Sequence, residues 1–440
     1  MSPHTASPEL PGLRRIAALA VPALVVLAAE PTYVLVDTAV VGHLGRTELG
    51  ALALGGAVLT VAAWLGTVFA YGTTARAARR FGAGQRAAAV AEGVQGSWLA
   101  LAAGLVIVLV LQVGGPPLTR LMAGGEAGVA EAAADWLRVA SLGVPGLLLA
   151  TVGNGWMRGV QDTRRPLFFV LGACGLSALL CPLLVYPFGL GLVGSAVANA
   201  VAQTVSGVLF ARALFSEKVS LRPDPAVLWQ QVVLGRDLVV RGAAMQGAFL
   251  GATTVAAGFG AAALGGHQIA LQLWMFTALA QDAVAIAAQS LVGAELGGGR
   301  VAGAKAVARR VAGVGLVTGF AFAAVIGAGA PFLPQLFSPD PLVHAQAWTA
   351  WPWFAAMQPA AGVVFALDGV LLGAGDAVFL RNLTIAAALG AYLPGALVAR
   401  WLDLGLGGVW AALTLFILVR LVAMLWRVRS GRWAVVGASR

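Results

Sequence analysis

The sequence predicts an all-α integral membrane protein with twelve transmembrane helices in two pseudo-symmetric six-helix lobes. Three observations predict it. Hydrophobic residues make up 60% of the 440 positions and charged residues only 10%, with a mean hydropathy of +0.87, too little charge to cover the surface of a soluble globule. Apolar stretches of about 20 residues, the helical length that crosses about 30 Å of hydrocarbon, recur along the whole chain. The pattern of the first half also returns in the second after an offset of about 214 residues.

The spans read, in order, 16–43, 48–75, 87–112, 131–156, 166–187 and 190–214, then 234–258, 264–294, 304–330, 344–373, 379–400 and 405–430. Short Gly, Pro and Arg punctuation separates them. None shows the apolar–polar alternation of a barrel strand. Pro223 and Pro225 lie in the polar stretch "SEKVSLRPDPAVLWQQ". That stretch divides the chain into an N-lobe (14–215), a cytoplasmic linker (216–231) and a C-lobe (232–430). The opening "MSPHTASPELPGLRR" lacks a basic start, short apolar core and small-residue cleavage site, so the first span is expected to be retained.

The repeat rests on four matches in the same order. "HLGRTELGALAL" (43–54) falls on "GFGAAALGGHQI" (258–269), "RRFGAGQR" (79–86) on "GAELGGGR" (293–300), "GNGWMRGVQD" (153–162) on "LDGVLLGAGD" (367–376), and "LGLVG" (190–194) on "LGLGG" (404–408). Six spans per half is an even number, so the repeat is parallel and the pair is expected to rock about a midplane cavity.

The net charge of +10 follows from topology. With the N-terminus cytoplasmic, the inner segments collect Arg14, Arg15, Arg76, Arg79, Arg80, Arg86, Arg164, Arg165, Lys305, Arg309, Arg310 and Arg427, whereas the outer loops keep little beyond Arg46, Arg120 and Arg400. The Lys/Arg bias places both termini inside. Contact with anionic lipid headgroups accounts for the basic balance, and no zinc-finger or RNA-binding signature points to nucleic acid. Only Lys218 and Lys305 are lysines among 28 basic residues, a usage typical of a GC-rich bacterial genome. Cys174 and Cys181 have neither metal-ligand spacing nor a disulfide framework and read as packing residues. There is no HExxH, GxxxxGK[ST], GxSxG or Cys-His cluster, so neither an enzyme nor a bound cofactor or metal is expected.

Polar residues inside the spans carry the functional signal. Glu30 and Asp37 are seven apart, hence on one helical stripe about 10 Å apart, and Asp37 lies roughly 33 Å above Arg15, in the outer half of the membrane. Carboxylates are costly at that depth and are kept for pathways, proton relays or buried pairs. Burial and like charge both favour proton uptake. Asp37 is thus the expected proton-coupling residue and Glu30 its modulator. Asp37 in the headgroup region, or paired with Arg46 or Arg138, is the competing reading, and Glu30, just before Pro31, can instead line water at a kink. Asp282 is read as cavity-facing or paired with Arg241. Asp368 aligns with Asn154 across the repeat, as a shared packing or hinge position or a cation ligand.

Tyr33, Asn154, Ser177, Cys181, Asn199, Gln203 and Gln246 complete the candidates for a substrate cavity, with interhelical hydrogen bonding as the alternative use. His267 follows Gly265 and Gly266 and is expected near the outer surface. Trp64, Trp274, Met275, Phe276, Trp351 and Trp353 are read either as a substrate-stacking set or as lipid-interface belts.

"VDTAVVGHLG" (36–45), "FGAGQ" (81–85), "RGVQDTRRP" (158–166) and "LGLVGSAVA" (190–198) resemble multidrug and toxic compound extrusion (MATE) transporters. "HQIALQLW" (267–274) and "LDGVLLGAGD" (367–376) are similar to the DinF-like branch. The resemblance runs from about Arg14 to Trp426. It implies cation-coupled efflux of mostly cationic, amphipathic organic compounds across a bacterial inner membrane, with Asp37 as the cation-coupling residue and Pro22 as the proline that lets the first helix bend. Many relatives place an Asn and an Asp four apart on the fifth span, where this chain has Ser177 and Cys181. A proton is therefore expected as the coupling ion in preference to sodium. The expectation is a monomeric antiporter of small organic cations. A flippase for a lipid-linked intermediate is the alternative, favoured by buried arginines around Arg138, Arg241 and Arg420; an intramembrane metalloenzyme would instead need Asp282, Asp368 and His267 to converge.

Overall fold

The computed structural model describes residues 12–438. The reading of the opening segment as lacking a leader, and the placement of the two chain ends, fall outside them. The described residues form helices and connecting turns, with no strand. In order the helices are α1 (Leu13–Gly42), α2 (Arg46–Gly82), α3 (Arg86–Met122), α4 (Ala127–Ala140), α5 (Val144–Gly159), α6 (Arg164–Val185) and α7 (Gly191–Ser216). They continue as α8 (Pro225–Ala257), α9 (Ala261–Gly297), α10 (Val301–Gly329), the short α11 (Leu333–Phe337), α12 (Pro341–Gly373), α13 (Ala377–Ala387), α14 (Leu393–Trp401) and α15 (Gly405–Ser430).

Eleven spans among the described residues are long and apolar enough to cross a membrane. α8 supplies the twelfth by length; it carries Arg236, Asp237, Arg241 and Gln246, and the first three take part in ion pairs. The fourth span is one helix in the sequence reading but two in the structure, with a 3₁₀ turn at Ser141–Gly143. Pro145 explains the break, because it has no N–H to give the carbonyl one turn back. The eleventh span is interrupted likewise by a π-helical turn, Ala388–Tyr392, just before Pro394. The stretch 216–231 divides: Ser216 ends α7, residues 217–224 connect, and Pro225 already opens α8, a proline suited to a first helical turn.

Contacts group the chain into two compact units, Pro22–Gly235 and Arg236–Arg440, the latter with the α1 residues up to Val21. The internal repeat is visible within each. α7 (191–216) and α15 (405–430) start and end 214 residues apart. Left-handed backbone recurs at matching turns, Gly45 with Gly260, Gly84 with Gly299 and Gln161 with Gly375. The close packing recurs too. In the first unit a Cβ at Gly155 would lie 2.8 Å from the Ala70 carbonyl oxygen, and in the second one at Gly369 would lie 2.1 Å from that of Ala285. Small residues let these backbones touch, the usual device where lipid removes the hydrophobic drive between helices. Gly369→Val is expected to force α9 and α12 apart and cost at least about 1–3 kcal/mol, measured as a lower melting temperature in detergent. A Val on the lipid face, for example at Phe320, is the control.

Apolar residues also face outward. Leu105, Leu109 and Val113, spaced by four on α3, are 55%, 66% and 74% exposed, which marks a lipid-facing stripe. Near the helix ends several basic residues are paired: Arg76 with Glu92 at 2.7 Å, Arg86 with Glu217 at 2.9 Å, Arg300 with Glu295 at 2.8 Å and Arg427 with Asp376 at 2.8 Å.

Candidate functional site

The polar stripe of α1 faces a polar stripe of α7. Glu30, Tyr33 and Asp37 follow the helical spacing on α1, and Ser195, Asn199 and Gln203 follow it at intervals of four on α7. Asn199 Nδ2 donates to the Tyr33 hydroxyl at 2.9 Å, and Ser195 lies beside the Asp37 carboxylate. The pairs 33 with 199 and 37 with 195 fix an antiparallel register. Gly194 permits it: a Cβ there would lie 2.8 Å from the Leu184 backbone of α6, so only glycine lets α7 seat its next residue beneath Asp37.

α6 supplies the third wall. Cys181 Sγ donates to Asp37 Oδ1 at 3.0 Å, inside an apolar cluster with Val185 and Ala198. Ser177, one turn earlier, faces the Tyr33 hydroxyl without a hydrogen bond of standard geometry. Asp37 is 4% exposed, and its partners are neutral. It forms no ion pair among the described residues. The competing partners are placed otherwise: Arg138 lies on exposed α4 surface 3.3 Å from Asp135.

These groups border a cavity of about 360 Å³ within the Pro22–Gly235 unit, in the range that holds a small organic molecule. Its lining includes Glu30, Tyr33, Asp37, Thr38, Thr60, Asn199 and Gln203 on the polar side and Leu49, Leu52, Leu59, Trp136 and Leu147 on the apolar side. Two carboxylates and no basic residue line it. Glu30 is open to it, whereas Asp37 sits in the wall.

The other candidates are placed elsewhere. Pro22 is inside the continuous helix α1, as is Pro31, and is the first residue of its unit. Asn154 is buried in α5 and its side-chain oxygen has no hydrogen-bond partner, outside the cavity lining. Gln246 is exposed on α8 and Asp282 half-buried on α9. Arg241 pairs with Asp368 at 2.6 Å rather than with Asp282, and Arg420 joins the same carboxylate at 2.7 Å. Two of the three arginines named for the flippase alternative therefore meet inside the second unit, while Arg138 does not.

His267 corrects another expectation. It is fully buried in the continuous helix α9, with Nε2 3.0 Å from Thr253 Oγ1 and its ring 5.8 Å from Trp410; Gly265 and Gly266 form no turn but clear room for Val343 and Ala347 of α12. Trp274 and Trp351 are likewise core residues, the first against Phe249 at 5.7 Å and the second donating to the Ile326 carbonyl at 2.8 Å. Among the described residues no three His, Cys, Asp or Glu side chains form a metal-binding group.

Sequence reasoning misses Ser195 and Trp136, which are hydrogen-bonded to each other at 3.2 Å, and reads Cys181 as packing, whereas it is also a donor to Asp37. The Ser–Asn–Gln spacing on α7 is the available signal. Cys181→Val is expected to lower transport about 3- to 10-fold, the net worth of one ordinary hydrogen bond, while Cys181→Ser keeps most of it, as read in initial rates from reconstituted vesicles.

The MatE family model matches the chain twice, at residues 22–183 and 238–398, one match for each half of the repeat. Protein DETOXIFICATION 44, chloroplastic, of Arabidopsis thaliana is 32% identical, over 98% of this chain and 86% of its own. DNA damage-inducible protein F of Escherichia coli (strain K12) is 29% identical, over 94% and 92%. A crystal structure of MATE in the bent conformation superposes with a TM-score of 0.88 at 23% identity, covering 97% of each chain, and a MOP superfamily transporter from Pyrococcus furiosus reaches 0.85 at the same identity over 95% and 96%. A twofold match of the family model to a twofold-repeated helical chain, with a relative that is 32% identical along almost its whole length, shows that this membrane protein belongs to the MatE family.

Proposed function

We propose that the protein is a proton-coupled antiporter that exports cationic or amphipathic organic compounds. The observation that carries this reading is the Asp37 carboxylate, buried with only neutral partners beside a cavity that holds Glu30 and no basic residue. Such a carboxylate is stabilised either by a proton or by a cationic ligand, and the apolar wall of Leu52, Leu59 and Trp136 suits the hydrophobic body of that ligand.

An exchanger needs two states with different affinities for its two ligands. Protonation of Asp37 removes the charge that holds the cation. α1 responds near Pro22, where the helix lacks a backbone donor, and the neutral site releases its cargo outward. The fifth-span positions Ser177 and Cys181 provide no second carboxylate, which favours a proton over sodium. A carrier of polyanionic lipids would call for a basic cavity, and this lining has none. The same reading makes the protein a monomeric transporter rather than an enzyme, in a bacterial inner membrane; its relatives include two chloroplastic Arabidopsis proteins as well as the E. coli one.

The test is export of a fluorescent organic cation from proteoliposomes under an imposed pH gradient, with and without sodium. Export that follows the proton gradient and ignores sodium supports the reading. Export driven by sodium alone, or by neither ion, removes it.

A further inference from the structure

The export reading leaves one buried charged cluster unused, in the Arg236–Arg440 unit. Arg241 of α8 and Arg420 of α15 both donate through Nη2 to a single oxygen, Asp368 Oδ2 of α12, at 2.6 and 2.7 Å. The second carboxylate oxygen, Oδ1, has no hydrogen-bond partner, and neither has the Nε of either arginine. The Arg420 side chain is 1% exposed, that of Asp368 8% and that of Arg241 13%. Arg420 is braced by the Phe416 ring at 5.6 Å and by Met245 Sδ at 3.7 Å from Nη1, contacts that fix the guanidinium without neutralising it.

We propose that the juxtaposed Arg241, Asp368 and Arg420 form an oxyanion site that takes a carboxylate or phosphate group entering past Arg241. Two guanidinium groups against one carboxylate leave an excess of one positive charge, and no other ion pair to either arginine occurs among the described residues. A buried excess charge is costly until a counter-charge meets it. The unpartnered Nε–H groups are donors, and guanidinium planes match the paired oxygens of carboxylate and phosphate. Asp368 Oδ1 then accepts a hydrogen from a hydroxyl or amine beside the oxyanion, so the site suits a ligand that carries both.

The charge belongs to this unit alone. At the repeat offset of 214 the equivalent positions are Leu27, Asn154 and Ser206, all neutral, so the triad is no general demand of the fold. Asp368 is five residues from the end of α12 and Arg420 ten from the end of α15. Both depths are in the half of the membrane that the arginine distribution assigns to the cytoplasm.

Binding of benzoate and inorganic phosphate to the full chain in phosphatidylcholine nanodiscs tests the site, with benzylamine as the cationic control. Saturable binding of either anion is expected. Arg241→Gln should weaken it at least 10-fold while leaving Asp368 and Arg420 as a neutral pair, and Arg241→Lys should restore part of it. Phosphatidylglycerol that competes identifies a lipid headgroup as the source of the oxyanion; phosphatidylglycerol without effect identifies a soluble anion. Asp37→Asn should keep the anion binding, which separates this site from the export reading. Absence of saturable anion binding in both lipids, or unchanged binding in a folded Arg241→Gln protein, overturns the proposal.

Discussion

Asp37→Asn is expected to abolish gradient-driven export of organic cations, lowering the initial rate by about 10- to 100-fold, the range of an ordinary coupling free energy of about 1–3 kcal/mol. The amide keeps the shape of the carboxyl and still accepts the hydrogen bond from Cys181, so the α1–α6–α7 wall should remain packed. What it loses is the choice between two charge states. A ligand that does not distinguish two states shifts nothing, however tightly it binds. The proteoliposome assay that compares proton and sodium gradients reads this directly. The variant should also bind the cation more weakly, and Asp37→Glu should recover more export than Asp37→Asn. An Asp37→Asn protein that exports at the native rate would move the coupling to Glu30 or to the second unit.

Asp368→Asn is expected to be the most destabilising single substitution among the intramembrane acids. It leaves two guanidinium groups that converged on one oxygen, at 2.6 and 2.7 Å, with no counter-charge in a buried site. Breaking one side of a buried ion pair costs about 3–5 kcal/mol, whereas replacing the whole cluster by apolar residues of similar volume is close to neutral. The melting temperature in detergent should therefore fall well below that of the native protein. Combining Asp368→Leu with Arg241→Met and Arg420→Met should bring it back. A single variant as stable as the native chain would mean that the arginines find other partners.

The two substitutions probe parts of the chain that differ in legibility. Asp37 and Glu30 are conspicuous in the linear chain, because a carboxylate in an apolar run has few explanations and a spacing of seven puts both on one helical face. Both do line one cavity, as that spacing requires. Asp368 is equally conspicuous, but its partners are not. Proximity along the chain favours Asp282 for Arg241, and Arg420, 52 residues beyond Asp368, has no local signal that ties it to that carboxylate. His267 is misread from sequence because Gly265 and Gly266 suggest a turn, when their lack of side chains serves the contact between α9 and α12.

The sequence by itself determined the membrane setting, twelve spans and their order, the internal repeat, and the carboxylates to suspect. Those properties depend on local composition and periodicity, which a linear reading records. Only the tertiary structure decided which polar groups meet: Cys181 and Ser195 at Asp37, Asn199 at Tyr33, and two arginines at one oxygen of Asp368. Helix-to-helix register is set by backbone approach at glycines such as Gly194 and Gly369, and that approach depends on the shape of the neighbouring helix, which periodicity along one helix does not encode.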